Sequence, residues 1–137
     1  MKVVIDTNVL VSALSRKSQY HWIVQQLLDE TFDLYLTGEI LLEYEEILIQ
    51  KYSYSVANNF IAALKVLPNV YFTEVYFYWK LLTDEDDNKF VDCAIAANAD
   101  YIITHDKDFN LLREIDFPKI NIVLIAQFKK IIKVDKS

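Results

Sequence analysis

The 137-residue chain contains one glycine, two prolines and one cysteine. So little glycine and proline leaves few positions for unusual backbone geometry, and the chain reads as helices and strands with short connections. The lone Cys93 excludes an internal disulfide and suits a reducing compartment, so the expected location is cytoplasmic. No apolar run approaches the ~20 residues of a membrane span. The apolar start is cut short by Asp6, which argues against a signal peptide, and no membrane partner is expected. Positive charge is also scarce: 14 lysines and arginines against 20 acids give a net charge of −6. That excludes a broad basic grip on nucleic acid, but not a nucleic-acid substrate held where cations neutralise the acids. The basic C-terminal "KKIIKVDKS" reads as a solvated helix end.

Apolar mass is abundant, with 53% hydrophobic and 14% aromatic residues. This is enough for one core, and residues 1–137 are expected to form a single domain. "KVVID" at 2–6 is a buried-strand pattern, and Thr7 is placed to cap a helix from Asn8. A helix is predicted over 20–30, a strand over 33–37, and helices over 39–51 and 54–67, the last ending before Pro68. The aromatic run 69–79 is predicted to be a strand. A helix over 86–98, a strand over 100–104, a short helix at "DFNLL", a strand over 121–125 and a helix over 126–133 complete the chain. Strands alternating with helices imply an α/β fold of three α/β/α layers around a central, mostly parallel sheet. Ligands of such sheets bind beyond the carboxyl ends of the strands. Asp6 and Asp106 both follow predicted strands and are expected on that edge.

The densest acidic stretch is "TDEDDNKFVDCAIAANADYIITHDKDF", residues 83–109. At 100° per residue, Phe90, Val91, Ala94, Ile95 and Asn98 form one stripe, centred near the direction of Asp87. Asp87 is therefore expected at the helix N-terminus on the core-facing side, and Asp92 on the opposite, solvated side. At least one of Asp84, Glu85 and Asp86 is expected to be a cap. In the helix over 39–51, the stripe Ile40, Leu41, Tyr44, Ile47 and Leu48 leaves Glu43 and Glu45 on opposite borders, and periodicity does not choose between them. Carboxylates brought together from separate segments suit Mg²⁺ or Mn²⁺, hard cations that take oxygen ligands. Such ions can hold a phosphodiester and activate a water. No Ser-His-Asp pattern and no glycine-rich phosphate loop offers another route.

Three blocks, "VVIDTNVLVSAL", "LYLTGEILLEYEEIL" and "DEDDNKFVDCAIAANADYIITHDKDF", occur in order over nearly the whole chain. Together they resemble a PIN domain, the nuclease fold used by VapC-type toxins of bacterial toxin–antitoxin pairs. The resemblance implies a metal-dependent ribonuclease, a hydrolase using Mg²⁺ or Mn²⁺, with an RNA substrate and an antitoxin protein as partner. It places the family's acids on Asp6, Glu43, Asp87 and Asp106, with Asn8 and Thr104 in support, and so selects Glu43 over Glu45. An alignment that follows "DCAIAANA" would put the third acid at Asp92; the ungapped count and the helical stripe favour Asp87. Asp84 and Asp108 are candidates for the outer edge of the site. His105 stands where the family usually has glycine and reads as an exposed turn residue. A sandwiched strand would bury only alternate members of Tyr71, Phe72, Tyr76, Phe77, Tyr78 and Trp79. The others are expected to face an antitoxin or a second copy of the chain in a homodimer. The alternative function is a PIN-like scaffold with weak or no catalysis that acts through protein contacts.

Overall fold

The structure is a computed structural model that describes residues 1–136, with side-chain environments given through Lys133. Lys136, the last basic residue of the C-terminal segment, therefore lies outside the described side chains. Five strands form one sheet: β1 (Lys2–Ile5), β2 (Asp33–Leu36), β3 (Val70–Phe72), β4 (Tyr101–Ile103) and β5 (Ile122–Val123). Their spatial order is β3-β2-β1-β4-β5, and every pairing is parallel. Six helices accompany them: α1 (Thr7–Ala13), α2 (Trp22–Leu28), α3 (Gly38–Lys51), α4 (Tyr54–Val66), α5 (Asn88–Ala97) and α6 (Ile125–Lys136). A 3₁₀ turn at Glu85–Asp87 leads into α5, and a longer 3₁₀ segment, Lys107–Glu114, follows β4. The result is the expected three-layer α/β/α arrangement. No helix among the described residues is long and apolar enough to cross a membrane.

β1 is central because its side chains leave it no other place: Val3, Val4 and Ile5 are each 0% exposed. A strand that is apolar on both faces must be covered on both, which parallel sheets with crossover helices achieve. The chain moves from β1 to β2 and β3 on one side, and returns to β4 and β5 on the other. The order therefore reverses between β1 and β4, which is where such sheets open a crevice at their carboxyl edge.

Caps define the helices that reach this edge. The Thr37 hydroxyl accepts the Ile40 N–H at 3.1 Å and starts α3, which buries Ile40, Tyr44 and Leu48 at four-residue spacing. Ser53 starts α4 in the same way, accepting from Val56 at 3.1 Å. Asn98 ends α5 in the left-handed conformation, with φ 53°, a role asparagine tolerates. Tyr44 ties α3 to the sheet, since its fully buried hydroxyl donates to the Ile5 carbonyl at the end of β1.

Two local expectations are corrected. Only Val70–Phe72 of the predicted strand 69–79 pairs in the sheet. Thr73 makes the last bond, donating to Leu36 at 2.8 Å, and β2 ends at Leu36, so the chain beyond has no ladder to extend. Thr7 does not cap α1. Asp6 occupies the N-cap position without a side-chain capping bond, and Thr7 lies inside the first turn.

Because the Tyr44 hydroxyl is buried against a backbone acceptor, Tyr44→Phe is expected to destabilise the fold by about 1–2 kcal/mol. Thermal or urea unfolding of the metal-free protein measures this. A neutral substitution would mean the bond does not anchor α3 to β1.

Candidate metal centre

Asp6 follows directly from β1. Its N–H donates to the Ile103 carbonyl at 3.0 Å, which locks the end of β1 beside β4. The side chain is 7% exposed, and the buried Thr104 hydroxyl donates to its Oδ2 at 2.8 Å. The same Thr104 oxygen accepts the Asp106 N–H at 3.0 Å, so one side chain fixes two acids. Burial raises the Asp6 pKa, the Thr104 bond opposes the rise, and the charges of Asp106 and Glu43 add to it. Asn8 is exposed in the same cleft with His105 and Asp106; the bond onto Asp6 comes from Thr104.

Asp87, Asp106 and Asp108 bring one carboxylate oxygen each to within 4.8 Å of one another. A local turn delivers the third: Asp106 Oδ1 accepts the Asp108 N–H at 2.9 Å and folds Asp108 back. Asp87 sits at the N-cap position of α5, yet it makes no capping bond. Its Oδ2 is buried without a hydrogen-bond partner. Burial, followed by the charges of Asp106, Asp84, Asp6 and Asp108, pushes the Asp87 pKa up to about 7. An unsatisfied buried oxygen among like charges is what a cation relieves. The three donors are hard carboxylate oxygens, so the residues present fit Mg²⁺ or Mn²⁺. Asp108, expected only at the outer edge, is part of this group.

Glu43 is engaged differently. The Thr7 hydroxyl donates to its Oε2, and Lys89 Nζ lies 2.7 Å from its Oε1. Among the described residues this is the one salt bridge. The helical stripe of α3 signalled neither partner. Lys89 is nonetheless the one lysine or arginine between Lys80 and Lys107, in the midst of the acids. Asp84 is a local cap, its Oδ1 accepting the Asp86 N–H at 3.0 Å, as expected of at least one acid there.

Asp92 was expected to be solvated, and the structure corrects this: it is 4% exposed, and its Oδ1 accepts the Trp79 N–H at 3.0 Å. The extended chain after β3 covers the face of α5 that the stripe argument left open. Asp92 stands outside the three-acid group. It also helps burial push the neighbouring Cys93 thiol up to about 12, so that thiol stays protonated. His105 is exposed, as expected, but it is also a structural contact: its Nε2 faces the Ile125 N–H at 3.2 Å where α6 begins.

A family model described as PIN domain matches residues 2–108. The chain belongs to the PIN domain family. That family generally comprises metal-dependent nucleases, and divalent-metal binding is typical of it. The PIN fold is also visible in solved structures. One is VapBC2 from Rickettsia felis bound to a DNA fragment from their promoter, with a TM-score of 0.64 and 15% identity, covering 90% of this chain and 98% of that one. Another is VapBC-1 from nontypeable Haemophilus influenzae, with a TM-score of 0.58 and 16% identity over 92% and 99% of the two chains. At such identities the likeness is one of fold. No curated protein matches the chain by sequence.

The acidic group makes stability depend on pH through Asp87. Its pKa is about 7 folded against 3.8 as the usual value, so the folded state holds the proton more tightly. The stability this contributes is complete below about pH 4 and is lost as pH rises through 7. In chelator, Asp87→Asn should therefore melt above the parent at pH 8. With the effect discounted for partial exposure to about 1 kcal/mol, the gap is about 3 °C. It should shrink towards pH 4. Melting curves across that range check this, and a gap independent of pH would contradict it.

Proposed function

We propose that this PIN chain is a ribonuclease, the toxin of a toxin–antitoxin pair, which hydrolyses RNA phosphodiester bonds at the Asp6–Asp87–Asp106–Asp108 edge with Mg²⁺ or Mn²⁺. The observation that carries the reading is Asp87. Its carboxylate is aimed into a group of acids, has an oxygen with no partner, and is held near neutrality in its pKa. Carboxylates perturbed in this way cluster at functional sites. When bound, a divalent ion there supplies charge that acidifies a water and stabilises the negative charge developing on the phosphate. The chain's own residues do the rest. Thr104 fixes the orientation of Asp6 and the backbone of Asp106, and Asp106 fixes Asp108. The acids stand ready rather than having to gather during reaction.

Asp6→Asn should reduce metal-dependent cleavage of RNA by at least about 100-fold, since even residues that only orient metal ligands cost 10–100-fold. The assay uses structured and unstructured RNA with Mg²⁺, Mn²⁺ or chelator. Equal cleavage by parent and variant, or cleavage that persists in chelator, would contradict the reading.

The aromatic run supports a protein partner. Tyr76, Phe77 and Tyr78 are 87%, 63% and 65% exposed, so they do not cover this chain's own helices. Trp79 is partly covered and links Phe77, at 4.8 Å between ring centroids, to the exposed Phe117 at 6.3 Å. Tyrosine and tryptophan are favoured interface anchors, and the fold neighbours are described as VapBC pairs. The proposed occupant is an antitoxin, with a homodimer as the second possibility for the isolated chain. Light scattering should show self-association that Tyr76→Ser with Tyr78→Ser weakens, or a monomer whose antitoxin binding the same pair weakens. A double variant that alters neither would exclude this surface.

A further inference from the structure

The resemblance implied Glu43 as a metal ligand, yet both of its carboxylate oxygens already have partners. Lys89 Nζ is 2.7 Å from Oε1, and the Thr7 hydroxyl donates to Oε2. The pair is sheltered, the lysine side chain being 9% exposed and the glutamate 25%. At 2.7 Å the contact is a charge-assisted hydrogen bond between ammonium and carboxylate. Asp87, by contrast, is grouped with acids, one oxygen each of Asp87, Asp106 and Asp108 lying within 4.8 Å of one another. Asp6 links the two ends, since Thr104 joins it to Asp106 and its neighbour Thr7 bonds Glu43. The acidic edge therefore has a built-in cation at its Glu43 end, and an acid with an unpartnered oxygen at its Asp87 end.

We propose that Lys89 takes the place of a second cation, so that the site binds a single divalent ion at the Asp87–Asp106–Asp108 end. Glu43 is then a positioning residue that holds the Thr7 hydroxyl and the Lys89 ammonium. This rests on the metal-dependent reading above. An ion placed between Asp6 and Glu43 would have to displace an ammonium tethered to the chain at high effective concentration, or sit beside it against like-charge repulsion. At the other end an ion meets carboxylates and the unsatisfied Asp87 oxygen.

The test is calorimetric titration of Mn²⁺ into the chelator-stripped protein, with circular dichroism to verify folding. The parent should bind one ion per chain. Lys89→Met should bind a second ion, or bind the first about tenfold more tightly for loss of a nearby positive charge. Lys89→Arg, which restores the charge, should return to one ion at parental affinity. Glu43→Gln should keep one ion, whereas Asp106→Asn should lose binding. Two ions in the parent, an unchanged Lys89→Met, or loss of binding in Glu43→Gln would each overturn the assignment while leaving the nuclease reading intact. If Lys89→Met does not fold, Glu43→Gln and the parental stoichiometry decide. A parent that binds no Mn²⁺ overturns the nuclease reading, and this inference with it.

Discussion

Repulsion among carboxylates governs this molecule. Asp6, Asp87, Asp106 and Asp108 are held at one edge of the sheet, with Glu43 beside Asp6. Left free, these side chains would separate. They stay because each is fixed by something stronger than the local repulsion: strand pairing for Asp6, a shared threonine for Asp6 and Asp106, a turn for Asp108, a lysine for Glu43. Asp87 alone has one oxygen buried without a hydrogen bond, and it carries the strain as a pKa pushed up to about 7. Stability given up at a site of this kind is a common trade for function.

The sheet makes the gathering possible. β1 and β4 are parallel neighbours in register, Ile5 facing Ile103, so the next residues of both strands leave the sheet together. One is Asp6, and the other begins the run Thr104 to Asp108. The N-terminus of α5 supplies Asp87 at the same edge, and α5 packs on β1, β2 and β4. Tyr44 fixes α3 against the end of β1, which places Glu43 one residue away on the same helix. Positions of reactive groups thus follow from the packing of a strand that is buried on both faces.

Much of this was legible in the residues. The alternation of elements gave the parallel sheet, and the helical stripe through Phe90, Val91 and Ala94 put Asp87 on the core-facing side at the start of α5, where its Oδ2 is buried. The same arithmetic misplaced Asp92, because a periodicity argument assumes one covered face, while the chain near Trp79 covers a second. The aromatic run after β3 has strand-like composition but no strand to pair with beyond Leu36. Propensity describes a residue's fit to a pleated surface, not whether a partner exists. Lys89 carries no such signal, because a lysine in an acidic stretch has an obvious solvated role. Its pairing with Glu43 joins residues 46 positions apart and needed the packing of α3 near α5 to be seen.

In the proposed function the acidic edge and the aromatic surface divide the chain's work between chemistry and contact, and the proposed chemistry depends on a cation settling where the acids repel most. Anomalous diffraction from crystals soaked in Mn²⁺ tests that most directly. The expected result is a peak among the carboxylates of Asp87, Asp106 and Asp108, with Lys89 still paired to Glu43. No peak at this edge, or a peak centred on Asp92, would contradict the account.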